Sequence, residues 1–185
     1  MKSQNKTTGK KQEKVKDKAQ NKMRQIRVDS VTLHCSTSDQ NKLERAIKLL
    51  KLISNATPVK TIAKKRIPTW KISPGMTIGC KVTVRKQKAV ELLKNILTGI
   101  RELKDEQFNP GFLSFGVKEY LEIPNIPYQR DIGIMGFDVV ATLNRGGWHV
   151  AKKKRARGKI GTSHRITKQE TIEFFKENFN VTIGE

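Results

Sequence analysis

Residues 60–85 read KTIAKKRIPTWKISPGMTIGCKVTVR, and a strand pattern occurs at each end of this stretch. Apolar and polar residues alternate over residues 58–63 and again over residues 78–85. A period of two is typical of a half-buried strand. Seven basic residues and no acidic residue lie in the stretch, and Pro74-Gly75 favours a turn. The pattern therefore predicts two strands that hold out a long basic loop.

The middle of this loop suggests a contact with nucleic acid. Its cations can pair with phosphates, and Trp70 offers a flat surface on which a base can stack. The alternative is a solvated lysine-rich loop whose Trp70 folds back into the core. The loop sequence alone leaves both interpretations open.

Net charge is the strongest global property of the sequence. The 185 residues carry a net charge of +21, and such a chain repels itself unless a polyanion is bound. An anionic membrane is a poorer partner, because the sequence has no run of about 18 apolar residues and no lipidation signal. Nucleic acid is therefore the expected partner, and no membrane contact is expected.

Cysteine usage and the N-terminal residues indicate a cytosolic protein. Cys35 and Cys80 form no CxxC pair and lie in alternating strand patterns, which favours reduced core thiols over a metal site or a disulfide. The first 22 residues contain eight lysines, and no apolar run follows them, so they do not form a secretory signal. We predict a disordered lysine-rich tail over residues 1–22 and a single RNA-binding domain over residues 23–185.

Hydrophobic periodicity places strands and helices along this domain. Alternation over residues 23–35 predicts a strand with a bulge near Asp29-Ser30. Helical spacing predicts one helix over residues 39–55, with Thr37 and Gln40 as a capping box, and another from residue 87 to about residue 104. Residues 113–123 and 137–143 alternate as strands, and residues 148 and 150 could extend the second.

The last predicted helix begins at a second capping box, Thr167 with Glu170, and runs through Phe179. Strands and helices in this order suit an α+β fold, in which an antiparallel sheet has helices packed on one face. The uncovered face of such a sheet is free to bind, as it is in many RNA-binding folds.

The sequence contains no motif that indicates catalysis. It has no GxxxxGK[ST], HExxH or GxSxG motif, and the GIMG at residues 133–136 is too short for a dinucleotide fingerprint. His34, His149 and His164 fall in three different elements. We therefore expect no catalytic residue, no metal ligand and no cofactor.

A second basic stretch, residues 152–168, is called the basic segment below. It contains eight lysines and arginines, one histidine and no acidic residue, so it would contact several phosphates with a steep salt dependence. Gly158 and Gly161 would let its backbone approach a phosphate closely. A nuclear localisation signal or a disordered linker is the alternative, and the capped helix directly after the segment argues against mere disorder.

Motifs spread over about residues 23–181 occur in the order and spacing of one known family. They are Thr57-Pro58-Val59, Ala63-Lys64-Lys65-Arg66, Lys71-Ile72, residues 75–85, Ser114-Phe115-Gly116, Glu119, Ile123-Pro124, residues 133–136 and Asp138. Together they resemble the universal large-subunit-five family of ribosomal proteins, which binds 5S rRNA in the central protuberance. The motifs over residues 150–168 resemble the archaeal and eukaryotic branch of that family.

The resemblance implies a non-catalytic structural constituent of the large ribosomal subunit. On the sheet side, the candidate residues for binding 5S rRNA are His34, Thr57, Lys60, Lys64, Thr83, Arg85 and Ser114. In the loop, the candidate residues for contacting P-site tRNA are Lys65, Arg66, Thr69, Trp70 and Lys71. In the basic segment, the candidate residues for binding large-subunit rRNA are Lys152, Lys153, Lys154, Arg155, Arg157, Lys159, His164 and Arg165.

The resemblance further implies a cytoplasmic, ribosomal location and protein partners. Another surface would meet a protein of the small-subunit head in an intersubunit bridge, and neighbouring ribosomal proteins are further expected partners. Three features depart from the family pattern. Residues 32–38 differ from the usual motif, with His34 in place of the asparagine, and Ala56 replaces an amide that contacts 5S rRNA in relatives. The first 22 residues have no counterpart in the family. A free RNA-binding regulator or a ribosome assembly factor that uses the same surface is the competing interpretation.

Overall fold

The computed structural model describes residues 21–37, 39–100, 102–124 and 126–184, which form strands and helices of an α+β domain. The predicted tail over residues 1–22 lies almost wholly outside these described residues. The elements are β1 (Arg27–Ser36), α1 (Gln40–Ser54), β2 (Val59–Ile62), β3 (Thr77–Arg85), α2 (Gln87–Gly99), β4 (Glu102–Lys104), β5 (Phe108–Asn109), β6 (Phe112–Val117), β7 (Phe137–Asn144), α3 (His149–Lys152), α4 (Lys168–Phe179) and β8 (Thr182–Gly184).

An antiparallel sheet of six strands organises the domain, in the order β2-β3-β1-β7-β6-β5. Its central strand β1 pairs with β3 over residues 30–36 and with β7 over residues 27–34. The pairing with β7 shifts between Val28 and Ser30, which confirms the bulge predicted near Asp29. The α+β prediction is therefore confirmed.

One face of this sheet forms the core together with α1 and α2. Val31, Leu33 and Cys35 on β1 are buried, as are Cys80 and Val82 on β3. The predicted core thiols are thus confirmed as buried, and the pairing register sets Cys35 directly opposite Cys80. Because side chains alternate along a strand, the polar residues between these apolar ones lie on the other face, which is called the open face below.

Helix α1 begins without the predicted capping box. Asp39 is the N-cap residue, and no side chain accepts a hydrogen bond from the first turn. Thr37 is still held by the sheet, because its backbone N–H donates to the Ile78 carbonyl at 3.0 Å. The Gln40 amide donates to the Thr77 hydroxyl at 3.2 Å instead of reaching back to cap the helix. The helix bounds themselves agree with the prediction.

Helix α2 ends earlier than predicted, at Gly99 rather than near Lys104. A Cβ atom on Gly99 would lie 2.2 Å from the Glu122 carbonyl oxygen, so this position requires glycine, a poor helix former. The chain then turns extended, and Leu103 is buried in β4. Strand β4 pairs in parallel with β8, about 80 residues further along the chain, in a small two-stranded sheet.

The strand predicted over residues 113–123 also ends early, at Val117. Tyr120 leaves the alternation because it is fully buried, and a 3₁₀ helix begins there. Its hydroxyl accepts a hydrogen bond from the Gln129 N–H, and its own N–H donates to the Met135 carbonyl. Residues 148 and 150 do not extend β7 as predicted, because Gly147 turns the chain with φ +84° into the short helix α3.

Helix α4 starts at the predicted capping box and carries an aromatic cluster. Thr167 and Glu170 exchange side-chain and backbone hydrogen bonds, so this prediction is confirmed. Phe175 is fully buried and contacts the rings of Phe108, Phe174 and Phe179 at centroid distances of 5.9, 5.7 and 5.5 Å. This cluster attaches α4, and with it the end of the basic segment, to the rest of the domain.

Replacing Phe175 with alanine should therefore lower the free energy of unfolding by about 3–5 kcal/mol, because it opens a cavity among the aromatic rings. Urea denaturation measures this change, and Phe112→Ala on the exposed sheet surface is the matched control with a much smaller expected loss. Equal losses for the two variants would contradict the packing role of Phe175.

Candidate nucleic-acid interface

The open face presents polar side chains in rows that cross four strands. Directly paired residues of neighbouring strands point to the same face of a sheet. Each row takes one residue from each of β3, β1, β7 and β6, in that order. The three rows are Arg85, Ser30, Thr142 and Phe112; Thr83, Thr32, Val140 and Ser114; and Lys81, His34, Asp138 and Gly116.

Side chains within these rows contact one another. The hydroxyls of Thr32 and Thr83 lie 3.2 Å apart, and His34 Nδ1 lies 3.9 Å from Asp138 Oδ2. A shallow depression lies on this part of the face, lined by residues of β1, β6 and β7 that include His34, Ser114 and Asp138. Hydroxyls, an imidazole and a carboxylate offer hydrogen bonds to bases and sugars, while Lys81 and Arg85 offer cations to phosphates.

Four of the seven residues proposed for 5S rRNA come together on this face, namely His34, Thr83, Arg85 and Ser114. The other three do not. Lys60 pairs with Cys80, so its side chain leaves the sheet on the side that the helices cover. Thr57 precedes β2 and Lys64 follows it, and both are exposed beyond the ends of that edge strand.

The loop between β2 and β3 stands out from the sheet as predicted. At its base the Ala63 N–H donates to the Met76 carbonyl and the Gly75 N–H donates to the Ala63 carbonyl. Nearer its tip, a β-bridge joins Ile67 to Ile72. The side chain of Trp70 is 69% exposed, so the alternative in which Trp70 fills the core is wrong. All five residues proposed to contact tRNA are exposed in this loop: Lys65, Arg66, Thr69, Trp70 and Lys71.

The basic segment follows a defined path between α3 and α4. The Gly158 N–H donates to the Val150 carbonyl at 3.2 Å, and a 3₁₀ helix over residues 162–164 precedes α4. Seven of the eight residues proposed for large-subunit rRNA are exposed. The exception is His164, which is half-buried because its ring Nε2 lies 2.8 Å from the Gly146 carbonyl oxygen.

Arg145 is a residue of this region that the sequence did not indicate. Its side chain is only 5% exposed and makes three hydrogen bonds. Nη1 donates to the backbone oxygens of His164 and Arg165 at 3.4 and 3.2 Å, and Nη2 donates to Glu170 Oε1 at 2.7 Å. Arg145 follows β7 as a single arginine outside any basic run, so only its three-dimensional contacts distinguish it.

Two carboxylates next to the basic segment, those of Asp29 and Glu170, accept hydrogen bonds from cations. Lys152 Nζ donates to Asp29 Oδ2 at 2.7 Å. Burial raises the pKa of Asp29. The hydrogen bond and the charge of Lys152 lower it, as do Asn144 and Arg85 to a smaller extent. The net result is a pKa below the ordinary value. Burial likewise raises the pKa of Glu170, and its hydrogen bonds with Thr167 and Arg145 bring the net shift downward. Both side chains are therefore anionic at neutral pH.

The described residues contain no group of three or more His, Cys, Asp or Glu side chains that could hold a metal ion. Among those residues, no helix is long and apolar enough to cross a lipid bilayer. Hydrogen bonding with Cys80 and burial raise the pKa of Cys35, so this thiol is a poor nucleophile.

A hydroxyl-rich open face, a projecting basic loop and an ordered basic segment together define an RNA-binding protein. The model of the family described as Ribosomal protein L5 matches residues 21–72, and the model of that family's C-terminus matches residues 77–181. The chain therefore belongs to the ribosomal protein L5 family. As a member of this family it is a structural component that binds rRNA in the cytoplasmic ribosome, not an enzyme.

Curated archaeal relatives resemble the chain over most of their length. The large ribosomal subunit protein uL5 of Sulfolobus acidocaldarius is 41% identical over 171 residues, which cover 91% of this chain and 96% of the relative. The proteins of the same name from Nanoarchaeum equitans and Methanobrevibacter smithii are each 38% identical over 164 residues. These alignments cover 87% of this chain and 97% and 96% of the relatives.

The ion pair of Glu170 predicts a pH dependence of stability. The pKa of Glu170 is lower in the folded state than in the unfolded state. Its contribution to the free energy of unfolding is therefore complete above the unfolded-state pKa and disappears as the pH falls through the folded-state pKa. Glu170→Gln should therefore be less stable than wild type at pH 7, and this difference should shrink below about pH 4. Urea midpoints of both proteins at pH 7 and pH 3 measure the effect, and a difference that does not change with pH would contradict it.

Proposed function

We propose that the protein serves in the central protuberance of the large ribosomal subunit, where its open face binds 5S rRNA. The observation that carries this proposal is the alignment of His34, Thr83, Arg85 and Ser114 on one uncovered face. These residues come from three strands, β1, β3 and β6, that are far apart in sequence. A rigid sheet fixes their spacing, which suits recognition of a folded RNA better than a flexible loop does.

Arg85 supports this proposal through its charge and its position. It lies at the end of the first row on β3, opposite Ser30, and its side chain is exposed. Thr83 lies two residues earlier on the same face, with its hydroxyl beside that of Thr32. An arginine next to hydroxyls can pair with a phosphate while its neighbours bond to sugars or base edges.

Replacing Arg85 with alanine should weaken 5S rRNA binding by about 1–3 kcal/mol, because a charge-assisted hydrogen bond is lost. Filter binding of the full chain to 5S rRNA at fixed salt measures this change. Arg45→Ala is the matched control, since it removes the same charge from the exposed surface of α1. Equal affinity of Arg85→Ala and wild type, with both folded, would place the RNA on another surface.

We further propose that the projecting loop contacts the backbone of P-site tRNA. The support is the exposure of its cations together with that of Trp70, which lies in a 3₁₀ turn over Pro68–Trp70. The open face and the loop would then bind different RNAs. The basic segment would bind large-subunit rRNA, and a further surface would meet a small-subunit head protein in an intersubunit bridge.

Shortening the loop to a tight turn between Ala63 and Met76 should leave folding and 5S rRNA binding intact, because the hydrogen bond from the Ala63 N–H to the Met76 carbonyl remains. Binding of tRNA to the P site of reconstituted large subunits should fall. Thermal denaturation, 5S rRNA binding and tRNA occupancy are the three measurements. A folded, 5S-binding variant with normal tRNA occupancy would refute the tRNA role alone.

A further inference from the structure

Most cations of the basic segment have no acidic partner in the part of the chain that the structure describes. The exceptions are its first and last cations, since Lys152 pairs with Asp29 and Lys168 pairs with Asp105. These two ion pairs hold the segment against β1 at one end and against the turn before β5 at the other. The cations without an ion pair to a described carboxylate are Lys153, Lys154, Arg155, Arg157, Lys159 and Arg165.

Arg145 adds a third attachment, and its burial distinguishes it from these cations. It is the one buried charged residue in the described part of the chain. Its guanidinium donates to two consecutive backbone carbonyls, those of His164 and Arg165, and to the carboxylate of Glu170. A planar guanidinium with several fixed donors fixes the positions of its acceptors relative to one another. The backbone that carries Arg165 is therefore fixed to the end of β7.

The surroundings of Arg145 reinforce this attachment. Glu170 Oε2 also accepts a hydrogen bond from the Thr167 N–H at 2.9 Å, so one carboxylate joins Arg145 to the first turn of α4. The ring of His164 lies against the Gly146 carbonyl, one residue after Arg145. Ile166 is buried in the core between these contacts. Polar and apolar contacts thus hold the same few residues in place.

We infer that Arg145 is a positioning residue for RNA binding: it orders the end of the basic segment before RNA arrives and does not contact a phosphate itself. The inference rests on the proposed role of the basic segment in binding large-subunit rRNA. A segment that is already ordered loses less conformational entropy when it binds, so its exposed cations bind more tightly. Without Arg145 the backbone of His164 and Arg165 would lose the hydrogen bonds that attach it to the end of β7, and Arg165 would be held less firmly.

The test compares the salt dependence of binding for two kinds of variant. Arg145→Met/Glu170→Gln keeps the net charge of the chain and leaves no unpaired carboxylate. Arg165→Met removes an exposed arginine from the same segment. Full-length proteins are titrated with a large-subunit rRNA fragment over a range of salt concentrations. The double variant should lose about ten- to hundredfold in affinity with an unchanged salt slope, while Arg165→Met should lower that slope by about 0.7–0.9.

Two outcomes would overturn the positioning role. Unchanged affinity in a folded double variant would mean that Arg145 serves the fold alone. A salt slope lowered to the same extent as in Arg165→Met would mean that Arg145 contacts a phosphate. If the double variant does not fold, hydrogen exchange of the free wild-type protein decides, because the Arg165 N–H that donates to the Thr162 carbonyl, next to the contacts of Arg145, should be protected. Exchange of that amide at the rate of an unfolded chain would refute an ordered segment.

The same titration separates this inference from the proposed function. If wild type does not bind the rRNA fragment, or if Arg165→Met changes neither affinity nor slope, the proposed rRNA role of the segment fails. If wild type binds and Arg165→Met lowers the slope, but the double variant equals wild type, only the positioning role of Arg145 fails.

Discussion

Strand β1 has to meet two opposite requirements, and the rest of the domain depends on the pairing that satisfies both. Val31, Leu33 and Cys35 are buried, while Thr32 and His34 lie on the open face. Because β1 pairs with β3 on one side and β7 on the other, a slip of one residue would put the apolar row in solvent. The bulge between Val28 and Ser30 leaves one residue of β1 without a partner on β7, and the regular alternation begins after it.

Features set by neighbouring residues could be predicted from the sequence. The alternation in β3 and β7, the apolar spacing of α1 and the capping box of Thr167 with Glu170 each depend on residues that are two to four apart. Proline and glycine similarly indicated the turn that closes the basic loop. The loop sequence left the placement of Trp70 open, and the structure exposes it while Cys80, Val82 and Val84 of β3 are buried in the core.

Features set by distant residues could not be predicted in this way. Helix α2 stops at Gly99 because the backbone near Glu122 passes too close for a side chain, and Leu103 pairs with a strand near the C-terminus. The face on which Lys60 lies depends on its register with Cys80, which alternation within β2 does not define. Arg145 belongs to the same class, since its three acceptors lie 19–25 residues away.

The placement of the few acidic residues gives the surplus charge its structure. The chain has 38 basic and 17 acidic residues, so most cations cannot have an acidic neighbour. Asp29 and Asp105 nevertheless pair with the first and last cations of the basic segment. Glu170 pairs with Arg145, which binds the backbone of that segment. Each pair neutralises a cation where the segment joins the domain. This lowers the repulsion between cations, which would otherwise favour an open loop. Repulsion remains highest along the inner cations, which is where a polyanion gains most by binding.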